Sequence, residues 1–152
     1  MLDTVTERFI LGQYRRHHVM TLATLRPDGF PQATIVAFAY DGLTIYVAVD
    51  AASQKARNVR RNGKVSVAIG HDTRDWSRIK ALSLAAQARV CRRRADVERA
   101  IACLGARMPQ MKAMGEADGY AGWAFLEIRP LVISVIDYTK EFGHTELVDL
   151  RR

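Results

Sequence analysis

With 152 residues and 49% apolar side chains, the chain has enough material for one packed core and too much apolar content for a disordered segment. Its 23 Lys and Arg against 16 Asp and Glu leave a net charge of +7, which favours anionic partners without choosing between nucleic acid, phosphate-bearing cofactors and acidic surfaces. Two cysteines, Cys91 and Cys103, exclude a disulfide scaffold, and no apolar run approaches the ~20 residues of a membrane span.

The N-terminal stretch places acid before base and lacks an apolar run ending in small residues, so no signal peptide is expected and a cytoplasmic protein is predicted. Thr4 and Glu7 have capping-box spacing and open a helix over residues 3 to about 16, with Val5, Phe9 and Ile10 as its apolar face. Arg15, Arg16 and His17 suit the negative end of its dipole. Three β-rich runs follow, residues 19–25, 32–39 and 43–49, separated by Arg-Pro-Asp-Gly and Tyr-Asp-Gly turns, which predicts a meander of two hairpins. In the third run Ile45, Val47 and Val49 share one face, and Thr44, Tyr46 and Ala48 the other.

Residues 53–62 read as a short helix with Ser53 at or near its N-cap, and residues 64–70 as a fourth strand. A polar loop leads to a long fifth strand over residues 79 to about 92, for which the Ala and Leu content makes helix a competitor. Residues 95–114 are helical: Val97, Ile101, Leu104, Met108 and Met111 recur as one stripe suited to core or dimer contact. The Gly-rich stretch 115–122 reads as a loop. A last strand from residue 123 to about 138 contains Pro130, which demands an edge or a bulge. Long antiparallel hairpins remove their edges by closing into a small barrel.

Conventional catalytic motifs are missing: there is no P-loop, no Gly-x-Ser-x-Gly and no dinucleotide fingerprint. Adjacent His17 and His18 face opposite ways in an extended segment and cannot share a metal. His71 lies in the polar loop and His144 in the tail. The segment Asp50–Gly70 is more distinctive. Ser53 and Lys55 stand where a strand turns into a helix, followed by Arg57, Arg60 and Arg61. A capped, solvated basic helix explains these residues. So does an anion site, because a helix start offers free N–H groups and positive dipole beside a hydroxyl and an ammonium.

The run from Met20 to Gly70, with its Asp-Gly-x-Pro strand end, Asp-Gly hairpin, aromatic third strand and Ser-x-Lys-x-x-Asn turn, resembles the pyridoxamine 5'-phosphate oxidase-like family of flavin-binding proteins. The stretch from Trp123 to Val148 is similar to the final strand and tail of many members. The resemblance implies one domain over residues 1–152, mainly β with flanking helices, folded as a six-stranded antiparallel split β-barrel and paired as a homodimer with cofactors at the subunit interface. It implies that Lys55, and with it Ser53, contacts the phosphate of FMN, with Arg57 in reach. Asn58 would instead tie the helix to its neighbours. Ala33, Thr34, Ile35 and Val36 would run along the isoalloxazine ring, and Tyr46 and Val47 would precede the phosphate turn. Trp76 and Trp123 are candidates to cover the ring from the partner subunit, and Lys80 to place a cation near its N1–C2 edge.

The sequence also departs from the oxidase itself. An Arg and a Lys are expected on the second strand, but this chain has Gln32 and Ala37 nearby, and the tail reads Phe-Gly-His-Thr-Glu-Leu-Val without an Arg-x-His segment. These departures argue against pyridoxamine-phosphate oxidation. The leading expectation is an FMN-dependent oxidoreductase of a small molecule, with hydride passing through flavin N5. The alternatives are an F420-dependent reductase and a non-catalytic flavin- or heme-binding protein, while nucleic-acid binding rests on charge alone.

Overall fold

The computed structural model describes residues 2–151. In chain order the elements are α1 (Thr4–Arg16), β1 (Val19–Leu25), β2 (Pro31–Ala37), β3 (Ala39–Asp41), β4 (Thr44–Asp50), α2 (Gln54–Arg61), β5 (Lys64–Gly70), β6 (Lys80–Val90), α3 (Arg94–Arg107), α4 (Pro109–Asp118), β7 (Trp123–Asp137) and β8 (Thr145–Asp149). The architecture is mainly β with flanking helices. A single antiparallel sheet runs in the order β2-β1-β5-β6-β7-β4-β3, and β8 pairs with β7.

Phe38 alone separates β2 from β3 in the chain, yet these two strands end opposite sides of that order. The sheet must therefore curl until its ends meet, which makes it a half-barrel. Fully buried Phe38 is the pivot: its N–H donates to the His18 carbonyl at 3.2 Å on the β1 side. The expected single strand 32–39 is thus two strands with different partners, and the expected pair of successive hairpins is not a simple meander. This interruption and the added β8 give eight strands among the described residues where the sequence predicts six.

Alternation builds the interior. Met20 and Leu22 of β1, Ile45, Val47 and Val49 of β4, Val65, Val67 and Ile69 of β5, and Leu82 and Leu84 of β6 are buried in one cluster. On β7 the inward parity changes, from Ala124, Leu126 and Ile128 to Ile133 and Val135. The reason is a bulge: Pro130 pairs with Ala86 and Val132 with Ala85, so Leu131 is the extra residue. Pro130 therefore marks a bulge in an interior strand, not an edge. The long run 80–90 is strand, as its paired neighbours on both sides require.

Helix α1 closes one end of the barrel through Ile10 and Tyr14, whose hydroxyl donates to the Leu43 carbonyl at 3.3 Å. Its cap is Asp3, which accepts from the Val5 and Thr6 N–H groups at 3.0 Å, so Thr4 is already helical and the Thr4–Glu7 capping box does not form. Val5 is 73% exposed and lies outside the buried face. At the other end of α1 the Arg107 guanidinium, from α3, donates to the Tyr14 carbonyl at 2.7 Å and to the His17 carbonyl. It also lies 4.8 Å from the Phe38 ring centre.

The outer face of β4 and β7 is covered by α3 and α4, where Ala100, Leu104 and Met111 pack on Tyr46 and Phe125. The expected continuous helix 95–114 breaks at Met108 because Pro109 cannot donate its backbone N–H and instead opens α4. Helix α4 then runs on to Asp118 and ends in left-handed Gly119, so the expected loop 115–122 begins later. An ionic cluster pins α3 to the sheet. Arg89 of β6 meets Glu127 of β7 at 2.9 Å and Asp96 of α3 at 3.1 Å. Glu127 and Asp96 are both buried, and their carboxylates raise the Arg89 pKa.

Candidate functional site

Ladder geometry leaves β2 with one unpaired edge. In an antiparallel pair, directly opposed residues alternate between exchanging hydrogen bonds and making none. The Phe38–His18 bond fixes the phase, and the register pairs Val36 with Met20, Thr34 with Leu22 and Gln32 with Thr24. Those even positions therefore bond to β1. The N–H and C=O groups of Ala33, Ile35 and Ala37 point to the open edge, with exposed side chains, two of them only methyl groups. Gln32 and Thr34 face inward, and both Gln32 Oε1 and Thr34 Oγ1 are buried without a partner among the described residues.

A cleft of about 410 Å³ opens along this edge. Ile35, Val36 and Ala37 form one wall, and Ala48, Val49 and Asp50 of β4 form the facing one. Trp123, paired with Asp50 where β7 begins, and Leu104, Met108, Gln110 and Met111 of the α3–α4 junction complete it. Ser53 and Lys55 stand at the polar end.

That end is built by the β4–α2 turn. Ser53 is the N-cap of α2, and its Oγ accepts from the Ala56 N–H at 3.2 Å. The Asp50 carboxylate turns inward on its own loop and accepts from the Ala52 N–H at 2.7 Å. The basic residues of α2 are mostly committed to carbonyl groups. Arg57 donates to Ala52 at 2.5 Å, Arg60 to Ala51 at 2.8 Å and Arg61 to Leu25 at 2.7 Å. Lys55 alone of these cations lines the cleft, and it has no ion-pair partner among the described residues. Asn58 is buried and anchors the helix by donating from Nδ2 to Thr24 Oγ1 at 3.0 Å, while Gln54 Nε2 donates to its Oδ1 at 2.7 Å.

The structure thus gathers Ile35, Val36, Ser53, Lys55 and Trp123 into one cleft, with Ala33 on the same open edge and Thr34 on its inner side. Other predicted positions lie elsewhere. Tyr46 and Val47 are buried, Tyr46 under α3 and Val47 in the barrel core; their backbones are paired to neighbouring strands. Arg57 folds back over its own turn. Lys80 pairs with Asp137 at the far end of β7 from Trp123. Trp76 is 67% exposed and stacks on Phe142, with centroids 6.4 Å apart. His144 lies 2.8 Å from Glu146 and outside the cleft. No group of three metal-capable side chains occurs among the described residues. The sequence reading missed Asp50, whose place at the strand end was visible, and Met108, Gln110 and Met111. Of the last three, the two methionines were noticed only as part of a stripe for core or dimer contact.

The arrangement offers a mostly apolar cleft with backbone donors and acceptors along one side and, at one end, a helix N-terminus beside Lys55, which has no ion-pair partner among the described residues. The chemistry of that end suits an anionic group.

Known proteins share this plan. A Listeria innocua protein provisionally described as a pyridoxamine 5'-phosphate oxidase is 24% identical, with a TM-score of 0.67 over 86% of this chain and 98% of its own. HutZ, a heme storage protein of Vibrio cholerae, is 20% identical, with a TM-score of 0.69 over 82% and 89%. A heme-binding protein of Mycobacterium smegmatis is 19% identical, with a TM-score of 0.75 over 98% of this chain and 59% of its own. At these identities the likeness is one of fold. No curated protein matches the chain. The sequence family described as pyridoxamine 5'-phosphate oxidase matches residues 7–133, which carry β1 to most of β7 and every wall of the cleft. The chain belongs to that family.

Proposed function

We propose that the cleft binds FMN and that the protein is an FMN-dependent oxidoreductase of a small molecule. The observation that carries this reading is the convergence of the unpartnered Lys55 ammonium, the Ser53 hydroxyl and the α2 N-terminus at one end of a slot bordered by the open edge of β2. Lys55 and Ser53 would hold the phosphate, and the edge groups of Ala33, Ile35 and Ala37 would meet the polar rim of the ring system. Buried, unpartnered Thr34 Oγ1 and Gln32 Oε1 supply further polar capacity behind that strand. When bound, the flavin supplies hydride transfer; this chain binds and orients it and excludes water with Trp123 and the Met108–Met111 wall.

A second copy of the chain, which the family resemblance implies, would supply Trp76 to the slot, whereas Trp123, also expected from that copy, lines this chain's own cleft. Gln32 and Ala37 on β2 favour a substrate other than pyridoxamine phosphate. F420 would use the same cation and the same slot. Heme binding is a second reading, favoured by the names of two proteins of like fold.

The test is to denature the purified protein and identify the released molecule by absorbance and mass. FMN near one per chain supports the reading. Released F420 or heme replaces it, and a protein that takes up none of the three on soaking overturns it.

A further inference from the structure

Helix α4 supplies Gln110 and Met111 to the wall of the cleft, yet little fastens it to the rest of the molecule. Met111 is its one buried residue, at 7% exposed, and Met114 and Gly115 are half-buried. Among the described residues no side chain of α4 makes an ion pair, and none of its hydrogen bonds reaches another helix or a strand. Its hold is apolar: Met111 and Met114, unbranched and pliable, pack on the cluster under α3.

Both ends of α4 are built to bend. At the first, Met108 leaves helical geometry (φ −126°, ψ 92°), and Pro109 lacks the backbone donor that would continue α3. At the second, Gly119, Tyr120 and Gly122 have φ of +63°, +64° and +77°. The two glycines adopt that conformation without cost. Tyr120 is the only other residue with positive φ among those described, and a side chain there is strained. Beyond this segment the backbone is tied down, because the Gly122 carbonyl accepts from the Ala51 N–H of the β4–α2 turn at 2.9 Å. The strained backbone places the Tyr120 ring. It meets Phe125 of β7 edge-on, with centroids 5.6 Å apart, and lies against the α4 backbone at Gly115, where a Cβ would overlap it. Tyr120 thus clasps α4 to the sheet, and only a residue without a Cβ lets the ring seat.

We propose that α4 is the lid of the cleft: it swings out on Met108 and the Gly119–Gly122 segment to admit a ligand, and Tyr120 on Gly115 clasps it shut. The inference rests on the cleft being the protein's ligand site and holds whichever ligand enters.

The test is thiol labelling of the full chain, read by peptide mass. Met111→Cys puts a thiol where closure buries it, and native Cys91, also 7% exposed and in the cluster under α3, is the reference in the same chain. The new thiol needs only local opening and is labelled at least ~100-fold faster than Cys91. Adding Gly115→Ala or Tyr120→Ala releases the clasp and quickens that labelling roughly tenfold more, with Cys91 unchanged. Alanine favours the helix itself, so simple fraying of α4 would instead be slowed by Gly115→Ala. Saturating FMN slows the labelling about tenfold or more. Equal labelling of the two thiols, failure of Gly115→Ala to quicken it, or bound FMN that leaves the rate unchanged overturns the lid. If FMN does not bind, the flavin reading fails, and the labelling of the free chain decides the lid by itself.

Discussion

Replacing Phe38 tests the argument that one buried residue closes the barrel. Its side chain is fully buried, meets Tyr14 edge-on with centroids 6.1 Å apart, and carries the Arg107 guanidinium 4.8 Å from its ring centre. Phe38→Ala removes the whole side chain from a site held on three sides by β1, α1 and α3, so collapse is limited and the cost is about 3–5 kcal/mol. Phe38→Leu keeps most of the volume and loses only the aromatic and cation–π contributions, about 1–2 kcal/mol together. Urea unfolding monitored by circular dichroism gives both values, and the alanine variant melts roughly 10 °C lower. Equal costs for the two variants, or an alanine cost below about 1 kcal/mol, would refute the assignment of Phe38 as the packed pivot.

Two further predictions concern the cluster under α3. Glu127→Ala leaves Arg89 with Asp96 as its only acid and costs about 3 kcal/mol, the low end for a broken buried pair because Arg89 is 41% exposed; a midpoint unchanged from the parent protein contradicts this. The Asp96 carboxyl is held below its usual range, chiefly by the Arg89 contact, so its charged form is favoured in the folded state. That stabilisation is complete above the ordinary carboxylate pKa of about 3.9 and is lost as pH falls through the lowered folded value. The stability difference between the parent protein and Asp96→Asn should therefore be constant near neutrality and shrink in acid, and a pH-independent difference removes Asp96 from the account.

Local chemistry carried much of this structure into the sequence. The Ser53 cap, the two faces of β4 and the alternation of β5 need only neighbouring residues, and the structure keeps them. What the sequence hid was partner choice. Residues 32–39 keep a strand pattern throughout, and nothing in them marks Phe38 as the point where the partner strand changes from β1 to β4. The Pro130 bulge was legible as an edge or a bulge, but only the pairing of β6 and β7 decides between them. Met108 and Met111 look like one continuing stripe until the missing N–H of Pro109 between them is counted. The short β8 alternates weakly and is defined mainly by the outer half of β7. At the cleft, the residues of the β4–α2 turn were legible because cap chemistry is local. The α3–α4 wall was not, because it reaches the cleft only through tertiary packing.

The central claim is that the β4–α2 turn receives the phosphate of a flavin. Affinities of the parent protein and Lys55→Ala for FMN and for riboflavin, which lacks that phosphate, test it most directly. With charge-assisted hydrogen bonds at about 1.5–3 kcal/mol each, the parent protein should bind FMN at least ~100-fold more tightly than riboflavin, and Lys55→Ala should cut that ratio by about tenfold or more while leaving riboflavin affinity unchanged. Equal affinity for the two flavins, or a ratio untouched by the loss of Lys55, would contradict it.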